Sequence, residues 1–265
     1  MDRPADRRSP KEPGNQQPLL TVRRLSKSYG DKPVLEDVAF ELARGECLVV
    51  LGRSGSGKSV LLRQINGLEK PDNGNVLFDG TELTGLDEEA LFPLRRRMGI
   101  LFQSGALFDS MSVFDNVAFP LRKHTDLADE ELAAKVEERL KMVKLEGAGD
   151  KFPADLSGGM RKRAALARSL ALDPDLMLYD EPTSGLDPVT AATIGSLIRN
   201  VEKELGVTSL LITHDLALAR RVGDRLAFLA GGRFAFVGDW QEAERSKDRT
   251  LGDFLAAREE DEDAA

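Results

Sequence analysis

The sequence predicts an α/β protein organised around a glycine-rich loop that lies between a buried strand and a helix. The loop spans residues 52–59 and reads Gly-Arg-Ser-Gly-Ser-Gly-Lys-Ser, which fits the pattern G-x-x-x-x-G-K-[ST]. The apolar run Cys47–Leu51 before it has the composition of a strand buried on both faces of a parallel sheet. The residues after it have the spacing of the inner face of a helix: Val60, Leu61, Leu62 and Ile65. Strand, glycine-rich loop and helix in this order form the context that a phosphate-binding loop requires.

The residue types of this loop suit the phosphates of a nucleotide. Glycines allow successive backbone N–H groups to turn inward and approach a phosphate closely, and the helix N-terminus adds partial positive charge. Lys58 can reach the β- and γ-phosphates, where we expect it to act as a charge without a packing role, and Ser59 offers a hydroxyl group to Mg²⁺. The alternative, an ordinary glycine-rich turn with a chance lysine, is disfavoured by the flanking strand and helix. The predicted binding residues of the loop are Gly52, Arg53, Ser54, Gly55, Ser56, Gly57, Lys58, Ser59 and Val60.

The composition is that of a soluble globular protein. The chain has 265 residues, of which 41% are hydrophobic and 31% charged, enough for one or two domains with a sizeable core. The net charge is −8, and Glu259–Asp263 supplies five of the negative charges, so the folded body is closer to neutral. Because a protein that binds nucleic acid through bulk charge is basic, the overall acidity predicts no nucleic-acid partner. The single Cys47 excludes an intrachain disulfide and a cysteine-rich zinc site. No apolar run has the length of a membrane span or signal peptide, which predicts a cytoplasmic protein that other proteins would hold at any membrane.

The chain is predicted to consist of one folded domain between two tails. Residues 1–18 mix proline, arginine, aspartate and glutamine without periodicity, which favours a disordered, solvated tail over one that binds an anionic membrane. Residues 19–258 are predicted to form the domain, and residues 259–265 an acidic tail. The runs Leu20–Arg23 and Val34–Leu42 predict an antiparallel β subdomain, because the second alternates apolar and acidic side chains.

The remaining elements follow from apolar periodicity and from turn and cap residues. The section at about 104–172 is predicted to be a mostly helical insert between strands of the core. A helix from Pro188 to Gly206 is expected to bury Ile194, Leu197, Ile198, Val201 and Leu205. Further strands are predicted at Asn75–Gly80, Met98–Phe102, Leu176–Tyr179 and Thr208–Thr213, with a hairpin at Leu226–Leu229 and Arg233–Val237. Further helices are predicted to begin near Asp87 and Asp129 and to cover Met160–Arg168 and Leu216–Val222.

Two acids follow the predicted strand Leu176–Tyr179. In a fold with a phosphate-binding loop, Asp180 would lie beside the loop, where it can hold Mg²⁺ together with Ser59. Hydrolysis of a phosphate also needs a group that orients the attacking water and accepts its proton, and Glu181 is placed to do this. An acid pair after a strand can be merely structural, but its combination with the loop makes a catalytic role the better interpretation.

Tyr29 precedes the loop and lies in the predicted turn Tyr29–Asp31. A tyrosine on such a turn can stack on a purine ring, or it can be a half-buried packing residue. The residues themselves do not decide between these two interpretations.

Several short motifs resemble those of ATP-binding-cassette (ABC) ATPases, and each occurs once, in family order, between about Leu19 and Val237. The segment Leu156–Gly159, Leu-Ser-Gly-Gly, resembles the family signature. Leu176–Glu181 is similar to the Walker B strand, and Ser184–Asp187 to the D-loop. The Q-loop glutamine of the family falls at Gln103, and its switch histidine falls at His214. The aromatic residue that stacks on adenine in the family falls at Tyr29. The resemblance implies a P-loop NTPase core of ABC-ATPase type, with an antiparallel β subdomain and a helical insert.

The resemblance also implies ATP hydrolysis with Mg²⁺ by two copies of the chain that close head to tail. Each ATP would lie between the phosphate loop of one copy and the signature of the other. The implied catalytic residues are Glu181, His214, Gln103 and Lys58, and the implied metal ligands are Ser59, Gln103 and Asp180. Tyr29, Ser157, Gly158, Gly159 and Asp187 would complete the nucleotide site. His124, in a polar connection, is expected to be unremarkable.

Met160 stands where most of the family has glutamine. This difference narrows the choice among the subfamilies of ABC ATPases that the chain can resemble. Residues 101–117 and 156–168 resemble the Mla-type lipid-transport ATPases, which serve a permease together with proteins of the MCE class. This predicts a peripheral subunit at the cytoplasmic face of the bacterial inner membrane that drives phospholipid transport, with a permease, MCE-type and accessory proteins as partners. The alternative is the ATPase of an amino-acid or other small-solute importer. A non-transport ABC ATPase is disfavoured, because residues 60–155 contain neither heptads nor cysteines and the chain has one cassette.

Leu107 and Phe108 follow Gln103 in the sequence and are predicted to form an exposed apolar pair. In the family that the chain resembles, the corresponding groove receives a short helix of the permease. Met111 and Phe114 are expected to pack into the helical insert instead.

Overall fold

The structure, a computed structural model, describes residues 17–263, with side-chain environments described as far as residue 256. Its strands are β1 (Leu20–Tyr29), β2 (Lys32–Leu42), β3 (Cys47–Leu51), β4 (Asn73–Phe78), β5 (Thr81–Glu82), β6 (Met98–Leu101), β7 (Leu176–Asp180), β8 (Thr208–Thr213), β9 (Arg225–Ala230) and β10 (Arg233–Gly238). Its α-helices are α1 (Lys58–Ile65), α2 (Glu88–Arg95), α3 (Val113–His124), α4 (Asp129–Met142), α5 (Gly158–Ser169), α6 (Pro188–Leu205), α7 (Leu216–Val222), α8 (Trp240–Glu244) and α9 (Arg249–Asp263). A 3₁₀ turn covers Pro153–Asp155.

Within the described residues, the strands form two sheets. The larger has the order β10-β9-β3-β8-β7-β6, in which β9, β3, β8, β7 and β6 are parallel and β10 is antiparallel to β9. The smaller sheet, β2-β1-β4-β5, is antiparallel. Since the carboxyl ends of parallel strands meet at one edge, the residues that follow β3, β7 and β8 are brought together there.

Strand β3 is buried on both faces, as its composition predicts. Cys47, Val49 and Leu51 pack into the core beneath α3, α5, α6 and α7, and Leu48 and Val50 pack into the core shared with α1 and the antiparallel sheet. A parallel sheet covered on both sides fixes the position of its strand ends tightly.

The predicted α/β fold and its antiparallel β subdomain are confirmed. Helices α3 and α4 lie within the predicted helical insert, and Leu132, Val136 and Leu140 of α4 face the core. The burial of Leu205 is a wrong prediction: its side chain is 36% exposed, because α6 ends there and the αL residue Gly206 turns the chain away.

Near the C-terminal end of the described residues, a helix crosses the predicted domain boundary. The predicted tail 1–18 lies outside the described residues except for 17 and 18. Helix α9 continues across the predicted boundary at 258/259 to Asp263, and the division into domain and tails stays a prediction. No helix in residues 17–263 has the length and hydrophobicity needed to cross a membrane.

Candidate active site

The phosphate loop connects β3 to α1 and depends on a glycine at the start of the helix. Gly57 caps α1 with φ +103°, a conformation that side chains other than glycine rarely adopt. A Cβ atom at this position would lie 2.8 Å from the carbonyl oxygen of Val34. A glycine is therefore required at the N-cap of α1. The backbone N–H groups at this helix N-terminus favour the binding of an anion.

Lys58 lies folded into the loop. Its Nζ donates to the carbonyl oxygens of Gly52 at 2.8 Å and of Arg53 at 3.1 Å, and it lies 3.7 Å from Oε1 of Glu181. Burial lowers the pKa of Lys58, and the nearby Glu181 and Asp180 oppose this shift. The expectation that Lys58 has no packing role is wrong, because its side chain is buried and ties the two ends of the loop together.

Ser59 and Asp180 meet where the sequence predicts a metal site. The Ser59 hydroxyl donates to Oδ1 of Asp180 at 3.2 Å. Burial raises the pKa of Asp180, and the Ser59 hydrogen bond opposes that shift. A hydroxyl and a carboxylate are the hard oxygen donors that Mg²⁺ takes from proteins when substrate phosphates supply further ligands, so the pair fits this ion.

Glu181 has a strained backbone and a side chain held by several donors. Its φ is +47°, which is uncommon for a residue other than glycine. Its Oε2 accepts from the hydroxyl of Thr213 at 3.2 Å and from the backbone N–H of His214 at 3.3 Å, and it lies 2.9 Å from Nδ1 of His214. These contacts aim the carboxylate at Lys58 and the loop.

A cavity of about 710 Å³ opens over the loop. Most of the predicted site residues line it, and two residues that were not predicted, Val34 and Phe254, complete its wall. Phe254 comes from α9, where Leu251, Phe254 and Leu255 are buried at helical spacing, a signal that is present in the sequence. The lining residues are Val34, Arg53, Ser54, Gly55, Gly57, Lys58, Ser59, Val60, Gln103, Glu181, His214 and Phe254.

Gln103 also lines this cavity, together with Ser59. It also lines a second cavity of about 520 Å³, together with Asp180 and Ser184. Its Nε2 donates to the Ser184 hydroxyl at 3.1 Å, which connects it to the segment after Glu181. The predicted metal ligands Ser59, Asp180 and Gln103 thus lie at neighbouring positions.

Tyr29 is not among the residues that line the larger cavity. Its hydroxyl donates to Glu69 at 2.7 Å and its side chain is 46% exposed at the end of β1. Gly52 and Ser56 also lie outside the lining: a Cβ atom on Gly52 would be 2.6 Å from the carbonyl oxygen of Leu229, so that residue is packed into the sheet. The stacking role of Tyr29 stays a prediction.

The signature residues and Asp187 form a separate surface. Ser157 caps α5 by accepting from the N–H of Met160 at 3.3 Å, and Asp187 caps α6 by accepting from Thr190 at 2.9 Å. The two caps are adjacent, since a Cβ atom on Gly159 would lie 2.5 Å from Cγ2 of Thr190. None of Ser157, Gly158, Gly159 and Asp187 lines the cavity over the phosphate loop of the same chain.

Together, the parallel sheet, the phosphate loop and the pair Asp180–Glu181 define a P-loop nucleotide hydrolase. The sequence family described as "ABC transporter" matches residues 35–184. In the solved structure of the ATP-binding cassette MJ0796 dimer bound to ADP and Pi, the aligned chain is 33% identical, with a TM-score of 0.77 over 83% of this chain and 98% of that one.

Two kinds of relatives are similar along almost the whole chain. The intermembrane phospholipid transport system ATP-binding protein MlaF of Escherichia coli K12 is 40% identical over 237 residues, which cover 89% of this chain and 88% of that protein. MlaF of Haemophilus influenzae is 39% identical, with 90% of each chain covered. The probable ribonucleotide transport ATP-binding protein mkl of Mycobacterium leprae is 42% identical over 90% of this chain and 69% of that protein. The chain belongs to the ABC transporter family and is one of its ATPases.

Proposed function

We propose that this chain is the ATP-hydrolysing subunit of a bacterial ABC transporter that moves phospholipid across the cell envelope. The observation that carries the proposal is the similarity to the two MlaF proteins, about 40% identity over some nine tenths of each chain. The subunit would work as a peripheral protein at the cytoplasmic face of the inner membrane. Its partners would be a permease, MCE-type proteins and accessory proteins.

Each residue of the site has its own proposed role in ATP binding or hydrolysis. Lys58 leaves the carbonyl oxygens of Gly52 and Arg53 and binds the β- and γ-phosphates, so the loop exchanges internal hydrogen bonds for nucleotide contacts. Ser59 and Asp180 would hold Mg²⁺, which would supply positive charge next to the phosphates. Glu181 orients the attacking water and accepts its proton, and His214 and Gln103 contact the γ-phosphate side of the site.

The second half of the nucleotide site would come from another copy of the chain. Ser157–Gly159 and Asp187 share one surface that is separate from the cavity over the phosphate loop. The N-terminus of α5, with the Ser157 cap, presents N–H groups that suit an anion. A head-to-tail dimer places this surface over the partner's phosphate loop and excludes water from two sites at once.

The permease would dock in the groove beside the loop that follows β6. Phe108 and Phe119 form an exposed pair there, with ring centroids 5.0 Å apart, and the groove has a volume of about 280 Å³. The predicted pair Leu107–Phe108 is therefore corrected: Leu107 packs against the core, and Phe119 of α3 takes its place beside Phe108. An exposed aromatic pair in a groove is a suitable anchor for an apolar helix face.

Isolation of the intact complex tests the proposal. The chain would be tagged and purified from membranes of its own organism, with an untagged strain as control, and the proteins and lipids that copurify would be identified by mass spectrometry. We expect a permease, an MCE-type protein and enriched phospholipid. A permease accompanied by a solute-binding protein, without enriched lipid, would instead favour the small-solute importer.

A further inference from the structure

Helix α5 carries a row of residues that contacts the loop after β6. The residues are Lys162, Ala165 and Arg168, which lie three positions apart and so share one face of the helix. Nζ of Lys162 donates to the carbonyl oxygen of Gln103. The Arg168 guanidinium donates to the carbonyl oxygens of Ala106 at 2.8 Å and Gly105 at 3.3 Å.

The loop is shaped to present these carbonyl groups to the helix. Gly105 and Ala106 both have positive φ, +78° and +49°, which turns the backbone back on itself, and the Gly105 N–H donates to the carbonyl oxygen of Phe102 at 2.8 Å. A Cβ atom on Gly105 would lie 3.4 Å from Cβ of Ala165, so the loop and the helix are in close contact. Residues 103–106 are thus fixed along α5 at both ends and in the middle.

Lys162 is a buried cation close to the catalytic acids. Only 7% of the residue is exposed, and burial lowers its pKa while the charges of Asp180 and Glu181 raise it. A buried ammonium group is costly unless it is hydrogen-bonded and paired, and here the Gln103 carbonyl and the two acids offset that cost. A lysine placed only for solubility would not be buried at this position.

We propose that Lys162 is a positioning residue for the hydrolysis reaction. Through the backbone carbonyl of Gln103 it fixes the side chain of that glutamine beside Asp180. With Arg168, it also makes the loop move together with the helix that Ser157 caps. The proposal rests on the proposed role of Gln103 as a contact to the metal and the γ-phosphate.

The test measures the Mg²⁺ requirement for ATP binding and the exchange of the loop amides. Both would be measured in a chain that also carries Glu181→Gln, so that turnover does not interfere. Lys162→Met should raise the Mg²⁺ concentration for half-maximal ATP binding about tenfold, the effect of losing one charge-assisted hydrogen bond. It should also speed hydrogen exchange at residues 104–106, and Lys162→Arg should restore both values.

Arg163→Met is the matched control. Arg163 also belongs to α5 and donates to a backbone carbonyl, but within residues 17–256 that carbonyl is the one of Lys144 and not one of the loop after β6. It should leave both measurements unchanged. If Lys162→Met does not fold, Lys162→Gln, which removes the charge and shortens the reach toward the Gln103 carbonyl, replaces it in every measurement, and unchanged values in that variant would equally overturn the proposal.

A double-mutant cycle with Gln103→Ala separates positioning from a general structural effect. If Lys162 acts through Gln103, the two changes should be strongly non-additive in the Mg²⁺ requirement. Additive effects, or unchanged exchange at residues 104–106 in Lys162→Met, would overturn the proposal. An unchanged Mg²⁺ requirement in Gln103→Ala alone would contradict the role of Gln103, and hydrogen exchange would then decide by itself whether Lys162 holds the loop.

Discussion

Nδ1 of His214 lies 2.9 Å from Oε2 of Glu181, and the backbone N–H of His214 donates to the same oxygen. Nδ1 donates to this carboxylate in the tautomer that carries the ring proton on Nδ1, and Nε2 is then the acceptor. His214, the residue that follows β8, thus contacts one carboxylate oxygen of Glu181, the residue that follows β7, through both its backbone and its ring. We therefore expect a substitution at either residue to alter the orientation of the other.

Replacement of Glu181 by glutamine should abolish turnover while ATP binding persists. The amide oxygen can still accept from Thr213 and His214, but the side chain no longer accepts a proton from water. We expect hydrolysis to fall by at least about 100-fold, with a nucleotide-bound dimer seen by gel filtration or light scattering. Glu202→Gln is the control, because Glu202 is a buried glutamate that does not line the cavity. Hydrolysis at the wild-type rate in Glu181→Gln would remove Glu181 from the role of base.

Two inactive variants should restore each other when they form mixed dimers. Lys58→Ala damages the phosphate loop and Ser157→Arg damages the signature surface, so a mixed dimer has one site with both lesions and one with neither. ATP hydrolysis should reappear on mixing, and the measurement is the rate as a function of the mixing ratio. Circular dichroism of Lys58→Ala is a necessary control, since Lys58 is buried and bonded to the loop. Mixed dimers that are shown to form and yet stay inactive would count against the head-to-tail arrangement.

The exposed pair Phe108 and Phe119 should matter for the permease and not for the isolated subunit. Changing both to alanine removes an apolar anchor, whose truncation typically costs about 2 kcal/mol or more of binding free energy. We expect weaker copurification of the permease and impaired lipid transport, with hydrolysis by the free subunit near normal. Phe152→Ala, another exposed aromatic residue, serves as the control. Normal copurification with lost hydrolysis would place the pair in the core of the subunit.

The pH dependence of stability should contain a contribution from Glu202 in α6. Burial raises the pKa of this carboxyl to about 7, and Arg199 and Ser209 only partly oppose the shift. Because the folded state then binds the proton more tightly than the unfolded chain, the free energy of unfolding falls as pH rises from about 4.5 to about 7 and levels off above. Over this range the contribution amounts to about 3 kcal/mol.

Glu202→Gln should remove this part of the slope, because an amide does not titrate. The measurement is the free energy of urea unfolding at pH 5 and pH 8 for both proteins. Between these two pH values, the wild type should lose more stability than the variant. Equal losses would show that Glu202 does not carry the titration.

Short apolar runs in the sequence predicted which residues the structure brings together at the carboxyl ends of the parallel strands, and the roles of these residues stay predictions. The phosphate loop, Asp180 and Glu181 follow strands whose apolar composition is unmistakable, and the sheet brings those strand ends together. Lys162 and Phe254 were not predicted, because their roles depend on which helix face meets the loop or the cavity. Leu107 was placed wrongly for the same reason: its sequence neighbours do not show which side chain of a loop turns inward.

The separation of the signature surface from the phosphate loop has a consequence for inheritance. If every dimer shares its two sites between both chains, a damaged chain affects each normal chain with which it pairs. In a cell that makes normal and Glu181→Gln chains in equal amounts, random pairing leaves only about a quarter of the dimers wholly normal. We therefore expect such lesions to be dominant in a strain with two copies of the gene. Alleles that damage opposite surfaces should complement one another within the same gene.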